Sequence, residues 1–458
     1  MAAPRIIIVG AGPAGVRAAE ELVAAGLRPT VVDEGRRDGG QIYRRQPEGF
    51  SRTSQEIYGT EAPRADALHA AFDALRPKID YRSSHLAWNV ADGHLHVVCE
   101  GATSALPFDA LIIAAGATDR IMPVKGWQHA GVYSLGAAQI ALKAQGCAIG
   151  RRVAFLGTGP LMQLVASQYR KAGAEVAAIL DTSRLMQQVS AAPKLAARPD
   201  VLAKGLRLVL GHVLAGTPVH RGITPIEIHG DADKGVTAVS VRERSGAVVR
   251  IECDAVALGH HLRPETQLAD LAGCRFDFDA ATRQFWPVVD GAGRSSVSGV
   301  YLAGDGVRTR GADGAEIAGR RAAMAVLADH GFAVDEGRVR ALEREGAAME
   351  RFRQGIAAAF PWPHHLAAGL DDETILCRCE GITAGELRAT VRDKGADELN
   401  RAKALSRVGM GRCQGRYCGH AAAEVVAAAA ELPLATIGRL RGQAPVKPLA
   451  IRTRRTTP

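Results

Sequence analysis

Four cysteines near the end of the chain form two close pairs. One residue separates Cys377 from Cys379, four residues separate Cys413 from Cys418, and 33 residues lie between the pairs. Four thiolates in this arrangement can bind one zinc ion or a [2Fe–2S] cluster. Zinc sites favour spacers of at least about two residues within a pair, which the first pair lacks. We therefore expect a [2Fe–2S] cluster, with structural zinc or four unused thiols as the alternatives.

Arginines lie beside these cysteines, and the last lobe of the chain is basic. Residues 375–458 contain 15 Lys and Arg against 7 Asp and Glu, which gives +8 of the net charge of +9. The lobe lacks the interleaved aromatic residues of a protein that binds single-stranded nucleic acid, so we expect no nucleic-acid partner. A cluster with four thiolate ligands is anionic, so Arg378, Arg412 and Arg416 should favour its reduced form and raise its reduction potential.

A second chemical feature lies at the start of the chain, where an apolar run leads into a glycine-rich turn. Residues 5–9 predict a buried parallel strand, and a helix is expected from about Ala14. The first glycine of such a turn bends the chain, the second lets the backbone approach a pyrophosphate, and the third lets the helix pack on the strand. The next strand ends in Asp33 and Glu34, whose carboxylates suit ribose hydroxyls. The residues assigned to the turn are Gly10, Ala11, Gly12, Ala14 and Gly15.

A copy of this pattern follows 147 residues later. Gly157 and Gly159 come after a second apolar strand, and the strand that follows them ends in Asp181. Each copy also contains a later strand that runs into glycine, at Gly116 in the first and at Gly259 in the second, an offset of 143 residues. The near-constant offset predicts two dinucleotide folds, with the second inserted in the first.

The second copy departs from the motif at its third glycine, where the chain has Met162. A side chain at this position obstructs close packing of helix on strand, which puts nicotinamide binding in doubt. Asp181 retains the chemistry to hold a ribose, and its charge would repel a 2′-phosphate. These residues leave open whether the second fold binds NAD, an adenine nucleotide such as ATP, or nothing.

The first fold resumes near residue 300 with a strand that ends in Gly304 and Asp305. Together with the glycine turn and the acidic pair, these residues resemble flavoproteins with two dinucleotide domains, a family that includes thioredoxin reductase and glutathione reductase. The resemblance spans about residues 1–330. It implies FAD in the first fold, with Asp305 accepting from the ribityl hydroxyls. The further residues that it assigns to the flavin are Gly40, Gln41, Ala115, Gly116 and Gly304.

Disulfide reductases of that family place two redox cysteines against the flavin. This chain has no cysteine pair directly after Gly39 and Gly40. Its second fold has no Cys-x-x-Cys, since Cys253 and Cys274 are 21 residues apart. A thiol–disulfide enzyme is therefore not expected.

The expected fold class is α/β, with two nested Rossmann-like dinucleotide-binding domains and a small helical C-terminal [2Fe–2S] domain. Charged helical sequence over residues 335–353 and the Pro-Trp-Pro at 361–363 predict a linker and a domain junction, and His364 and His365 beside it are interpreted as loop residues rather than metal ligands. No apolar stretch reaches the roughly 18 residues of a membrane span, and no signal-peptide pattern is present. We therefore expect a cytoplasmic location, with peripheral contact at the inner membrane left open. The predicted boundaries are 1–120 with 287–331 for the FAD-binding domain, 121–286 for the inserted NAD(P)-like domain, 332–374 for the linker, 375–430 for the [2Fe–2S] domain and 431–458 for an extended tail.

The last domain and the order of the modules carry a more specific resemblance. Residues 375–430 resemble the bacterioferritin-associated ferredoxin type of [2Fe–2S] domain. The whole chain resembles the α (A) subunit of heteromeric amino-acid dehydrogenases, which include opine oxidases, D-hydroxyproline and dye-linked proline dehydrogenases, and hydrogen cyanide synthase. The resemblance implies a FAD-containing β subunit that oxidises the amine and a respiratory or dye acceptor, together with an interfacial FMN and a small γ subunit in some members. It assigns no catalytic residue to this chain.

Two other functions fit parts of the sequence. A self-sufficient NADH-dependent acceptor reductase would receive hydride in the second fold and release electrons through the cluster. An iron-store partner like the free-standing ferredoxin would leave the flavin half without a purpose. Because the sequence offers no substrate-oxidising domain beyond the two nucleotide folds and the cluster lobe, we favour the subunit hypothesis.

Overall fold

The computed structural model describes residues 3–47 and 49–450. In the first quarter of the chain, strands alternate with helices and form a parallel sheet. The elements of this part are β1 (Ile6–Val9), α1 (Pro13–Ala24), β2 (Thr30–Val32), α2 (Ser54–Tyr58), α3 (Ala62–Leu75), β3 (Asp80–Arg82), β4 (Leu86–Ala91), β5 (His94–Cys99), β6 (Ala102–Pro107), β7 (Ala110–Ile113) and β8 (Ala117–Asp119). A separate antiparallel sheet of three strands, β4 to β6, is inserted before the chain adds β7 to the parallel sheet.

The middle of the chain repeats this arrangement, with alternating strands and helices and an inserted antiparallel sheet of three strands. Its elements are β9 (Val132–Ser134), α4 (Leu135–Ala144), β10 (Arg152–Thr158), α5 (Pro160–Lys171), β11 (Glu175–Asp181), α6 (Leu185–Ser190), α7 (Ala192–Leu195), α8 (Pro199–Leu214), β12 (Val219–Arg221), β13 (Thr224–Asp231), β14 (Gly235–Arg242), β15 (Val248–Glu252), β16 (Ala255–His260), β17 (Leu262–Pro264), α9 (Gln267–Leu271), β18 (Phe276–Asp279) and β19 (Gln284–Pro287).

The remainder returns to the first sheet and then becomes mostly helical. Its elements are β20 (Val300–Leu302), α10 (Gly311–Asp329), α11 (Glu336–Ala359), α12 (His365–Ala368), β21 (Ile375–Cys377), β22 (Ile382–Thr383), α13 (Ala384–Lys394), α14 (Leu399–Ser406), α15 (Gly419–Ala430) and α16 (Leu434–Ile437). None of the described helices combines the length and the apolar character that a membrane crossing requires.

Five parallel strands form the first sheet, in the order β20-β7-β1-β2-β3. Strand β1 lies in the middle of the sheet. Its successive side chains point to opposite faces, and both faces are covered. Ile6 and Ile8 pack with α1, α3 and α10, whereas Ile7 and Val9 pack with the antiparallel sheet β4-β5-β6. The continuous apolar run of β1 is thus explained by cover on both faces.

The second sheet has the same design, with parallel strands in the order β12-β11-β10-β16-β9. Phe155 of β10 packs with α4 and α5 on one face, and Ala154 and Leu156 pack with the antiparallel sheet β13-β14-β15 on the other. Two antiparallel pairs, β8 with β17 and β18 with β19, complete this region. The architecture confirms the predicted α/β class with two Rossmann-like folds.

The segment predicted as a linker contains one long packed helix. Helix α11 starts behind Asp335, whose carboxylate accepts from the N–H groups of Gly337 and Arg338. Ion pairs hold it to the first fold, including Arg338 with Glu21 of α1 and Glu350 with Arg310. The helix continues to Ala359, beyond the predicted end at residue 353, because the sequence stays helix-forming until Pro361.

Helices α13, α14 and α15 enclose the core of the last lobe. A capping box between Thr383 and Glu386 fixes the start of α13. Trp362 and Met122 belong to this core, so the lobe packs directly on the connection between the two nucleotide folds. The chain that follows α16 returns to the first fold without regular structure. Its Val446 is buried and donates to the carbonyl of Trp88, so this part of the predicted extended tail is packed; residues 451–458 lie outside the described residues.

Candidate functional site

One large cavity connects the first fold, the second fold and the cysteine lobe. Its volume is about 2250 Å³, more than twice that of an ordinary ligand pocket of roughly 300–1,000 Å³. The structure brings most of the predicted nucleotide residues to the wall of this cavity. Four of them do not line it, namely Ala11, Gly15, Gly157 and Asp181. The predicted residues that line the cavity are Gly10, Gly12, Ala14, Asp33, Glu34, Gly40, Gln41, Ala115, Gly116, Gly159, Gly304 and Asp305.

The glycine turn is shaped by close backbone contacts. Gly10 has φ of +104°, and a Cβ at this position would overlap the carbonyl oxygen of Ala114. A Cβ at Gly15 would overlap the carbonyl oxygen of Gly10, so α1 sits directly on the turn. Helix α1 begins at Pro13 with Gly12 as its cap, and this cap supplies no side-chain hydrogen bond to the first N–H groups. Those N–H groups and the positive end of the helix dipole suit a pyrophosphate.

Asp33 and Glu34, the two acidic residues that follow β2 in the sequence, have different surroundings. Asp33 accepts from the N–H of Ala11 and from the N–H of Gly35, both at 2.6 Å, and thereby orders the turn against the end of β2. Burial raises the pKa of Asp33, although the two N–H groups oppose the shift. Each carboxylate oxygen keeps a second lone pair for a ribose hydroxyl. Glu34 borders the cavity and pairs with Lys447 from the end of the chain.

Asp305 is a further carboxyl of the first fold whose pKa is raised. It accepts from the N–H of Arg310 at 2.8 Å and from that of Gly311 at 3.1 Å, at the start of α10. Burial raises its pKa to about 6 against these hydrogen bonds. The carboxyl lines the cavity and retains free lone pairs, as an acceptor of polyol hydroxyls requires. The glycine turn, the paired acids and Asp305 together fit a bound flavin dinucleotide.

The second fold offers less to a nucleotide. Asp181 is fully buried and does not line the cavity; it accepts from the hydroxyl of Thr158 at 2.7 Å and from the N–H of Ser183 at 2.8 Å. Both hydrogen bonds use Oδ1, whereas Oδ2 has no partner among the described residues, so a ribose-binding role for Asp181 stays a prediction. Met162 is also fully buried, so the fold accommodates a side chain where the first copy needs glycine. Of the two predicted glycines, Gly159 alone reaches the cavity.

The four clustered cysteines meet in the last lobe. Side-chain contacts connect Cys379 to Cys413, Cys413 to Cys418, and Cys418 to Cys377. In the described part of the chain, no three His, Cys, Asp or Glu side chains converge as a single metal ion requires. A [2Fe–2S] cluster needs two cysteines for each iron, and the two pairs supply them.

Two of the four clustered cysteines, Cys377 and Cys413, have a lowered pKa, whereas burial raises the pKa of Cys379. A hydrogen bond from Cys418 lowers the pKa of Cys377 to about 6, and a hydrogen bond from the same thiol lowers that of Cys413 to about 5. The pKa of Cys418 is correspondingly raised, because it supplies these hydrogen bonds. Backbone N–H groups of Gly409 and Gly415 also donate to these sulfurs, as expected from the glycine-rich sequence.

The three arginines near the cysteines do not act alike. Arg416 is buried and forms an ion pair with Glu265 at 2.7 Å, so its charge is balanced within the protein. Arg378 stacks over Trp127 with 5.0 Å from its guanidinium carbon to the ring centre, and Arg412 is exposed. The ion pair offsets the charge that Arg416 would offer to the cluster, and the effect of the three arginines on the reduction potential stays a prediction.

Several residues at this site carry no signal in the sequence. Arg120 is buried, donates to the carbonyls of Thr282 and Arg283, and lies 3.9 Å from the ring centre of Trp362; burial lowers its pKa to about 9. Lys143 lines the cavity, and burial lowers its pKa to about 8. Their positions arise from contacts between distant segments, which no local pattern reports.

The remaining cysteines offer no dithiol. Cys253 and Cys274 are both buried but belong to different apolar cores, one in the second fold and one in the first. No disulfide-reducing pair therefore stands at the cavity among the described residues.

Comparisons with known proteins identify two domain families in the chain. The family model described as pyridine nucleotide-disulphide oxidoreductase matches residues 4–328, and that of the BFD-like [2Fe-2S] binding domain matches residues 375–428. The chain is 35% identical to the A subunit of opine oxidase from Rhizobium meliloti, over 97% of this chain and 86% of that protein. It is 29% identical to the HcnB subunit of hydrogen cyanide synthase from Pseudomonas protegens, over 90% of this chain and 89% of that protein.

One solved structure shares the fold over nearly the whole chain. L-Proline dehydrogenase from P. horikoshii superimposes with a TM-score of 0.73 and 19% identity, over 98% of this chain and 78% of that chain. Thioredoxin reductase of T. acidophilum superimposes on 71% of this chain with a TM-score of 0.51. The two family models imply a flavin and a [2Fe–2S] cluster, and the glycine turn and the four thiols fit them. The chain therefore belongs to the pyridine nucleotide-disulphide oxidoreductase family, as an oxidoreductase component related to the A subunits of opine oxidases.

Proposed function

We propose that this chain is the electron-transfer subunit of a heteromeric, FAD-dependent amino- or imino-acid dehydrogenase. A substrate-oxidising, FAD-containing β subunit supplies its electrons, which then pass through FAD and the [2Fe–2S] cluster to a respiratory or dye acceptor. The β subunit selects the substrate, which is an opine, D-hydroxyproline or proline. A respiratory acceptor would bring the cytoplasmic complex to the surface of the inner membrane.

The observation that carries this proposal is a wall shared by the two cofactor sites. Arg416 and Tyr417, which lie between Cys413 and Cys418 in the sequence, line the same cavity as Gly12 and Asp305. The loop that supplies two cluster ligands is therefore also part of the flavin cavity.

Glu265 holds the cluster loop at the cavity. Its N–H donates to the carbonyl of Gly116 at 2.9 Å, and its carboxylate accepts from Arg416 at 2.7 Å. Burial acts to raise the pKa of Glu265, but the guanidinium groups of Arg416 and Arg263 outweigh it and lower the pKa. Glu265 is thus charged at neutral pH and connects the flavin motif to the cluster loop. When bound, FAD takes up electrons in pairs and the cluster carries them singly.

The second fold supports electron entry from another subunit rather than from NADH. Asp181 is fully buried and away from the cavity, and Met162 fills the place of the third glycine. The cavity nevertheless has more volume than one ligand needs. We assign this additional space to an FMN at the subunit interface, with an adenine nucleotide in the second fold as the other occupant to test.

An anaerobic titration of the purified chain tests the proposal. We expect NADH to leave the flavin of the isolated chain oxidised, because the carboxylate of Asp181, the expected ribose ligand of the second fold, is buried away from the cavity. We expect an opine, D-hydroxyproline or proline to bleach the flavin of the complex purified with its second flavoprotein. Rapid bleaching of the isolated chain by NADH would instead establish the self-sufficient reductase. Purification without any second flavoprotein would also contradict the proposed role.

A further inference from the structure

Exposed aliphatic side chains concentrate in one short part of the second fold. Thirteen large hydrophobic residues are exposed in the described chain, and seven of them lie within the 30 residues from 185 to 214. Scattered exposed apolar residues are ordinary, but a concentration of them marks an interaction surface. The seven residues are Leu185, Met186, Val189, Leu206, Leu210, Val213 and Leu214.

Helix α8 carries four of these residues on one side. Leu206, Leu210, Val213 and Leu214 are spaced by four, three and one residues, which places them on one face of a helix. The opposite side is already packed, since His212 is buried and bonds the carbonyl of Gln163 at 3.0 Å. The exposed apolar face of α8 is therefore not used for packing within the described chain, although a surface helix normally turns a polar face to solvent.

The same surface has a positive border. Residues 184–214 contain five Lys and Arg and one acidic residue, Asp200. Asp200 is engaged by Arg198, whereas Arg184, Lys194 and Arg207 are exposed. An occupant that presents carboxylates around an aliphatic centre would match both features.

The surface also borders the flavin cavity. Leu185, Val189 and Leu206 are exposed and at the same time line the cavity, so α6 and α8 form part of its mouth. Lys204 of α8 pairs with Glu61 of the first fold at 2.8 Å and fixes the helix beside this opening. A protein seated on α6 and α8 would exclude water from the cavity and bring its own redox group toward the flavin. A bilayer in the same place would set lipid chains against the opening.

We infer that the α6–α8 face is the docking surface for the electron-donating flavoprotein subunit, and that docking closes the cavity mouth. This inference rests on the proposed function, since it locates the partner that the proposal requires. The partner is expected to present an aliphatic surface bordered by carboxylates.

The test compares three forms of the full chain, each purified with its flavin and cluster. The wild type, the variant L210E/L214E and the control V248E are mixed with the separately purified flavoprotein that copurifies with the wild type. Leu210 and Val248 are both 56% exposed, and neither Leu210 nor Leu214 lines the cavity. Calorimetry gives the affinity, iodide quenching of flavin fluorescence reports closure of the cavity, and circular dichroism with flavin content verifies folding.

We expect L210E/L214E to bind the partner at least about 100-fold more weakly and to lose the protection of its flavin from iodide, while V248E behaves as the wild type. Equal binding by all three forms would overturn the docking surface and leave the proposed function standing. A wild type without any partner would overturn the proposed function, and the inference with it. Flotation with vesicles of phosphatidylglycerol and phosphatidylcholine that is lost only in L210E/L214E would assign the face to a membrane instead.

Discussion

Asp305 is half-buried, accepts from two backbone N–H groups and lies in the cavity wall. Because its pKa is raised to about 6, the native apoprotein retains a proton that the unfolded chain has already released. The stability of the apoprotein therefore falls as pH rises from the usual aspartate range through about 6. Hydroxyl groups donated by a ligand favour the ionised carboxylate and reverse this trend.

We predict that flavin affinity increases by about tenfold as pH rises between about pH 5 and about pH 8. The Asp305→Asn variant should bind flavin without this rise, since an amide does not titrate. Quenching of flavin fluorescence, measured as a titration at each pH, gives the affinities. An unchanged pH dependence in the variant would show that Asp305 does not face the flavin.

Cys413 lies in contact with two of the other three clustered thiols. We predict that Cys413→Ser loses nearly all of the electron paramagnetic resonance signal of the reduced cluster and its iron, because a [2Fe–2S] cluster requires four ligands. Flavin should remain bound, since its residues belong to the first fold. Cys147, an exposed cysteine in another region, provides the control Cys147→Ser. A site that contains zinc in the wild type would refute the assignment.

At the scale of elements, the cluster loop is attached to the second fold by a buried ion pair. The side chains of Arg416 and Glu265 are 9% and 14% exposed, and Arg416 also donates to the carbonyl of Val446 at 2.7 Å. Gln267 reinforces the attachment through its amide, which donates to the carbonyl of Gln414 at 2.7 Å. These contacts join β17 and α9 to the loop that carries Cys413 and Cys418.

We predict that Glu265→Gln raises the reduction potential of the cluster, because the charge of Arg416 then favours the more negative reduced state. The same change should lower the free energy of unfolding by about 3 kcal/mol, since it leaves a buried cation without its partner. A redox titration followed by paramagnetic resonance and a urea titration measure the two effects. Asp372→Asn removes the exposed partner of Arg388 in the same lobe and should change neither quantity. A potential unchanged in Glu265→Gln would separate the ion pair from the cluster.

A second attachment runs through Trp362, between α11 and the last lobe. Its ring lies under Arg120, and its N–H donates to Glu424 at 3.1 Å. We predict that Trp362→Ala lowers the free energy of unfolding by about 3–5 kcal/mol, as for other large buried aromatics. Trp362→Phe keeps most of the ring contact and should cost clearly less in the same urea titration. Equal losses in both variants would assign the stabilisation to the hydrogen bond alone.

At the scale of the whole molecule, one cavity joins the three parts of the chain. We predict that removal of the flavin lowers the midpoint of thermal unfolding, by an amount that corresponds to about 2.7 kcal/mol when the ligand is at 100 times its dissociation constant. Riboflavin, which lacks the pyrophosphate and adenosine, should restore much less of this stability than FAD in the same thermal scan. Full restoration by riboflavin would mean that the glycine turn holds no pyrophosphate.

The sequence by itself determined the features that depend on local chemistry and spacing. A strand, a turn or a ligand pair is set by neighbouring residues. Such local patterns are the buried strand that precedes Gly10, the repeated turn at Gly157 and the two cysteine pairs. The α/β class, the flavin and the [2Fe–2S] cluster follow from them. The start of helix α13 is likewise fixed by neighbouring residues, since Thr383 and Glu386 cap it locally.

Only the tertiary structure decided how these parts meet. Asp181 satisfies the local pattern of a ribose ligand, yet the packing of β10 against β11 buries it beside Thr158. Glu265 and Arg416 are 151 residues apart, and their pairing balances a charge that the sequence had assigned to the cluster. Contacts of this kind depend on the relative placement of whole folds, which burial and packing fix and residue spacing does not. For the same reason, the flavin cavity could be located only once the glycine turn and the cluster loop had been brought to one wall.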